Sequence, residues 1–96
     1  MSQRNNYLKR KYGISDGIFQ QMLDAQGGLC AICHKSPKRG VNLCIDHDHK
    51  SKKMKIRGLL CTKCNYKLGI MHDDLDFMRE ATIYLEEAQH DNNRNT

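Results

Sequence analysis

A chain of 96 residues with a formal charge of +5, 39% hydrophobic residues and no tryptophan suffices for one small domain, but has little apolar bulk to hold it by burial alone. No apolar run approaches the roughly 20 residues of a membrane helix, and the polar start Met1-Ser2-Gln3-Arg4 is no export leader, so a membrane protein and a disulfide-framed secreted domain are both disfavoured. In the reducing cytoplasmic setting then expected, five cysteines point to metal ligands rather than bridges.

An opening helix is expected to carry Tyr7, Leu8, Lys11 and Tyr12 along one side and to stop at Gly13, which can take the left-handed conformation that closes a helix. The next helix is better marked. Ser15 is placed to cap it, Asp16 suits the positive end of its dipole, Ile18, Phe19, Met22 and Leu23 recur at helical spacing, and Gly27-Gly28 ends it. The segment Lys35-Ser36-Pro37-Lys38-Arg39-Gly40 has turn chemistry and reads as a loop. Val41 to Ile45 reads as a strand, and the alternation of Met54 and Ile56 within the basic stretch Lys50 to Arg57 reads as a second, half-buried one. A helix then opens at the second cysteine pair and stops near Gly69. The last helix, capped by Asp73 or Asp74, carries Phe77, Ala81, Tyr84, Leu85 and Ala88 in one apolar stripe expected to pack into the core. The predicted organisation is a single domain over residues 1–90 and a disordered polar tail over 91–96.

Cys30-Ala-Ile-Cys33 and Cys61-Thr-Lys-Cys64 are two paired thiol knuckles separated by 27 residues. Each Cys-x-x-Cys turn delivers two thiolates to adjacent corners of a tetrahedron, so the two together complete a zinc shell with no open position. Such a Zn2+ ion is structural, and its apparent binding energy of roughly 10–16 kcal/mol acts largely as folding energy. Cys44 is the odd thiol, expected to be buried and inert in its strand, while His34 beside the first knuckle is an unneeded spare ligand.

Between the knuckles lies Asp46-His47-Asp48-His49. Carboxylates and imidazoles in alternation, with no packing rationale, suggest a divalent ion for phosphate chemistry together with a general base. The charge around them agrees. Residues 34–57 hold eight basic side chains against two acidic ones, whereas from residue 71 onward seven are acidic and two basic. A lysine run is often only a solvated surface, but one beside such a cluster reads as a polyanion-binding face.

Tyr12-Gly13-Ile14-Ser15, Gln26-Gly27-Gly28-Leu29-Cys30-Ala31-Ile32-Cys33, Asp46-His47-Asp48-His49, Arg57-Gly58-Leu59-Leu60-Cys61 and Cys64-Asn65 occur in an order that resembles the recombination endonuclease VII family, from about residue 7 to residue 86. That family belongs to the HNH, or His-Me finger, nucleases. The resemblance implies a small α+β fold, a zinc-stapled ββα-metal core with flanking helices, with strands near 42–46 and 54–58 and a helix from about 61 to 70. It also implies roles. Asp46 and Asn65 correspond to ligands of a catalytic Mg2+ or Mn2+ ion and His47 to the general base, with His49 sharing base or phosphate contact. Asp48, on the side of Asp46 in a regular strand, is an outer partner of the metal or an imidazole.

The implied function is hydrolysis of DNA phosphodiesters to 5′-phosphate and 3′-OH products, by a phage or mobile-element protein acting in a host cell. Lys50, Lys52, Lys53, Lys55 and Arg57, with Lys63 and Lys67 on the following helix, are candidate phosphate contacts; Arg57 is alternatively an architectural strand residue. They offer little to read bases, so low sequence specificity is expected. DNA is the implied partner, duplex or branched as in Holliday junctions, with a homodimer as the assembly of junction-resolving members. Two alternatives remain open: an HNH nicking or double-strand endonuclease without junction preference, and a non-catalytic zinc-stabilised nucleic-acid binder.

Overall fold

The computed structural model describes residues 3–94, with their side chains through residue 90. It is a small α+β structure, in order α1 (Gln3–Tyr12), α2 (Asp16–Ala25), β1 (Cys44–His47), β2 (Ile56–Leu60), α3 (Thr62–Ile70) and α4 (Leu75–Arg94). The two strands form one antiparallel sheet. The chain divides into two compact units, Met1–Asn65 and Tyr66–Thr96.

The end of α1 and both ends of α2 have local causes. Gly13 takes φ +73° and ends α1, its N–H reaching the Lys9 carbonyl at 3.0 Å. Ser15 caps α2, its hydroxyl accepting from the Ile18 N–H at 3.2 Å. Asn5 accepts from the Asp16 N–H at 2.9 Å, and the Arg4 guanidinium lies 4.6 Å from the Phe19 ring centroid, so α1 and α2 are tied where they meet. At the far end of α2, Gly28 at φ +75° donates back to the Leu23 carbonyl at 2.9 Å.

The strands begin and end about two residues later than expected. β1 starts at Cys44, paired with Leu60, and Val41 to Leu43 lie outside it. The reason lies on the partner: Leu60 is the last residue of β2 before Cys61 leaves for the cysteine cluster, so the residues before Cys44 have no strand to pair with. At the other end the Asp48 N–H donates to the Lys55 carbonyl at 2.8 Å, continuing the pairing toward the loop. The register is broken once. Asp46 faces Gly58 while His47 faces Ile56, which leaves Arg57 as the extra residue of a bulge.

The core of the first unit is small: Leu8, Phe19, Leu43, Leu59 and Leu60 are buried together with Cys30 and Cys64. Gln26, just past α2, closes the open edge of β2. Its side-chain carbonyl accepts from the Leu59 N–H at 2.9 Å, and its amide donates to the Leu59 and Leu29 carbonyls at 2.9 and 2.8 Å. The Ala31 N–H adds a bond to the Leu59 carbonyl at 3.1 Å. A side-chain amide thus does for Leu59 what a third strand would do, satisfying backbone groups that burial would otherwise leave costly.

Beside this edge the sulfurs of Cys30, Cys33, Cys61 and Cys64 all lie within 4.8 Å of one another, with Cys33 and Cys61 at 3.8 Å. Sulfurs at the corners of a zinc tetrahedron with bonds of about 2.3 Å are about 3.8 Å apart, so the set fits the ion. Backbone N–H groups of Ile32 and Cys64 point at the sulfurs of Cys30 and Cys61, each at 3.4 Å. For Cys30 burial opposes ionisation, but amide donors from Cys61, Cys33 and Ile32 outweigh it and bring the thiol down to about 6. Burial and the neighbouring sulfurs push Cys64 up to about 12. Four thiolates this close need a cation before all can ionise.

The expectations for Cys44, the α4 stripe and the tail are corrected, whereas those for His34 and the Asp74 cap are not contradicted. Cys44 is half-buried rather than buried, its sulfur 3.9 Å from the Thr62 hydroxyl, and it stands outside the sulfur cluster. His34 is exposed at φ +60° and contributes no ligand to it. In the second unit α3 runs to Ile70, one residue past Gly69, and Asp74 caps α4 by accepting from the Phe77 N–H at 3.0 Å. Phe77, Tyr84 and Leu85 are 56%, 72% and 57% exposed, so the α4 stripe does not build the core. The α4 backbone runs to Arg94, within the segment expected to be a tail, and residues 95 and 96 of that segment lie outside the described residues.

Two outcomes follow from this packing. Elemental analysis of folded protein should find one zinc per chain, and chelation should abolish the cooperative thermal transition; a metal-free chain melting unchanged would exclude the staple. Gln26→Ala, which strands the buried Leu59 N–H, should lower unfolding free energy by about 1–3 kcal/mol in a denaturant titration.

Candidate active site

The end of β1 gathers the chemistry-bearing side chains. Asp46 is the buried charged residue of the core, 7% exposed. Its carboxylate is gripped by Arg57, whose Nε donates to Oδ2 at 2.7 Å and whose Nη2 donates to Oδ1 at 3.0 Å. Such a two-point fork is the strongest common geometry for a carboxylate and a guanidinium. The bulge makes it possible. In an unbroken ladder Arg57 would stand opposite His47, on the other face from Asp46; the extra residue turns its side chain toward the carboxylate.

His47, the next residue, is half-buried, and its ring lies 4.2 Å from that of His49, centroid to centroid. The two imidazoles expected to share one side are therefore together, although β1 ends at His47 and His49 already belongs to the turn. His47 also makes an edge-type contact with Tyr12, with ring centroids 6.2 Å apart and planes at 61°. Tyr12 comes from the last turn of α1, four residues after the buried Leu8, so the face that anchors the helix also brings its ring to the imidazole. Lys11 beside it lies 5.7 and 5.4 Å from the Tyr7 and Tyr12 ring centroids.

Asp48 has a different environment from the one expected. Its Oδ1 accepts from the Lys50 N–H at 2.9 Å, which shapes the turn after β1, and its backbone N–H belongs to the pairing with Lys55. It orders the loop rather than an imidazole. Lys50, Lys52, Lys53 and Lys55 are exposed along that loop, and Lys63 is exposed in the first turn of α3. Lys67 is exposed in the second unit. Arg57 differs from these lysines, because its charge is already engaged by Asp46.

Asn65 is half-buried in the first turn of α3, and its N–H donates to the Cys61 carbonyl at 3.0 Å. Its neighbour Cys64 is buried in the sulfur cluster, so the knuckle fixes the backbone from which Asn65 projects. Asp46 and Asn65 are not hydrogen-bonded to each other among the described contacts. Both offer hard oxygen donors, the class that magnesium and manganese take. Among the described residues the four cysteines are the group of three or more His, Cys, Asp or Glu side chains set to hold an ion. An ion on Asp46 and Asn65 would therefore complete its shell with water and phosphate oxygens.

Three residues of this neighbourhood carried no such role in the sequence reading: Tyr12 against His47, Gln26 on Leu59, and Arg57 on Asp46. The spacing from Leu8 to Tyr12 held the signal for the first. The Arg57 pairing depends on a bulge that strand periodicity cannot place.

A model of the recombination endonuclease VII family matches residues 5–87. The Gene 59 proteins of Mycobacterium phages L5 and D29 are 43% and 40% identical to this chain over 75 residues, in each case 77% of this chain and 44% of the relative. The chain thus spans less than half the length of these relatives. Both cysteine knuckles, the end of β1 and Asn65 fall inside the family match, and the chain belongs to the recombination endonuclease VII family.

Proposed function

We propose that the chain is a metal-dependent DNA endonuclease, a single nuclease module over residues 1–90 whose β1, β2 and α3 form the ββα-metal core. What supports the reading most is the end of β1. A half-buried imidazole, His47, follows directly on the buried Asp46 carboxylate, with a loop of four exposed lysines beginning three residues later. Family membership supplies the reaction class.

A phosphodiester resists hydrolysis because its negative charge repels a nucleophile and its alkoxide leaves poorly. His47 acts on the first problem: it takes a proton from water, and the resulting hydroxide attacks phosphorus in line. The P–O3′ bond breaks, the departing oxygen takes a proton from water to become the 3′-OH, and the phosphate stays on the 5′ side. Tyr12 and His49 both lie against the His47 ring and limit its swing. Asp46 and Asn65 would hold a Mg2+ or Mn2+ ion that, when bound, supplies Lewis-acid stabilisation of the leaving oxygen. Lys50, Lys52, Lys53, Lys55 and Lys63 take backbone phosphates, so binding is governed by charge rather than base identity; Lys67, in the second unit, is a separate candidate phosphate contact. Branched DNA is included among the substrates, and a homodimer is the assembly that would present two such sites to a junction. The setting is the cytoplasm of a phage-infected cell; among the described residues no helix is long and apolar enough to cross a membrane.

In a plasmid-cleavage assay with Mg2+ or Mn2+, His47→Ala should lower the rate by roughly 100-fold or more while zinc content and fold are kept. Full activity in that variant would remove His47 as the base. Running four-way junction and linear duplex side by side in the same assay decides the substrate: faster junction cleavage supports resolution, and equal rates leave a general nuclease.

A further inference from the structure

Asp46 is nearly inaccessible to water, and a carboxylate so placed keeps its charge only with a partner. Arg57 is that partner, and its fork uses both oxygens, at 2.7 and 3.0 Å. An ion held by Asp46 needs one of the same oxygens. A guanidinium and a divalent ion on one buried carboxylate repel each other strongly, because little water lies between them to screen the charges. From this geometry we infer that Arg57 is a built-in competitor for the catalytic ion: it holds Asp46 in the DNA-free protein and must yield for the ion to enter. The inference rests on the reading of Asp46 as an ion ligand.

The structure also gives Arg57 a route away. Its side chain is 33% exposed although the carboxylate it grips is buried, so the guanidinium can turn outward without crossing the core. A phosphodiester is the anion that replaces a carboxylate best, since it accepts the same two-point fork. DNA arriving at β2 therefore offers Arg57 a second partner and frees Asp46. Substrate and ion then favour each other's binding, and by linkage the coupling is equal in both directions. Lysine in this position would not serve as well, because an ammonium has no planar fork to exchange between the two anions.

The test is Mn2+ binding to the zinc-loaded chain without DNA, followed by electron paramagnetic resonance. Arg57→Met should bind Mn2+ more tightly than the native protein, by roughly 5- to 150-fold, the usual range for coupled sites. Arg57→Lys, which keeps the charge and loses the fork, should fall between the two, and it serves in place of Arg57→Met if that variant fails to hold zinc and helix content. Asp46→Asn should lose the site. If neither Arg57 variant binds more tightly while Asp46→Asn loses the ion, the competition is refuted and the ion site stands. If Asp46→Asn binds Mn2+ like the native protein, Asp46 is no ion ligand, and the functional reading falls together with the inference.

Discussion

Four sulfurs within 4.8 Å of one another are the constraint on which the first unit depends. They come from two places far apart in sequence: a turn after α2 and the junction of β2 with α3. With so few buried side chains, burial alone is a weak restraint on where β2 ends and α3 begins. Closing the sulfurs around a zinc ion would fix both, because Cys61 is the residue at which the chain leaves the sheet and Cys64 lies in the first turn of the helix. Gln26 acts from the same side, joining the end of α2 to Leu59 on β2. The two devices together hold the hairpin without a third strand.

Under the proposed function the reacting groups would be positioned second-hand by that staple. Cys64 is followed at once by Asn65, and Leu59 and Leu60 lie just after the bulge that pairs Arg57 with Asp46. A shift of one residue in β2 would turn every side chain to the other face and separate Arg57 from the carboxylate. The hairpin register, the ion pair and the direction of His47 are therefore one structural fact. Burying Asp46 has a destabilising side, which the guanidinium offsets. In a scaffold this small, such a pair is better explained by what it prepares than by the stability it adds.

Much of this was legible in the residues. Gly13, Ser15 and Gly27-Gly28 marked the helix ends because each has a local mechanism, a left-handed φ or a capping oxygen, that operates without tertiary help. Each Cys-x-x-Cys turn was legible because it presents two thiolates locally, and the tetrahedral demand of one ion pointed to their meeting. Strand limits were less legible: Val41 has the composition of a strand residue, but pairing requires a partner, and β2 ends at Leu60. The α4 stripe failed differently. Periodicity shows that Phe77, Tyr84 and Leu85 share a face, not that anything covers it, and they are exposed. At the end of β1 the closeness of the His47 and His49 rings was legible from their two-residue spacing in a strand, whereas Asp48 took a turn role and Arg57 an ion pair because each answers to a local break in the regular strand.

Under the proposed function the chain has two distinct metal sites, a closed one that holds the fold and an open one that serves the reaction. Anomalous diffraction at the zinc and manganese edges, from crystals of the His47→Ala protein grown with Mn2+ and a DNA duplex, tests it most directly. The account predicts zinc among Cys30, Cys33, Cys61 and Cys64, and manganese on Asp46 and Asn65 with the Arg57 guanidinium turned to a phosphate. Manganese bound away from Asp46, or Arg57 still forked onto that carboxylate with the ion in place, would contradict it.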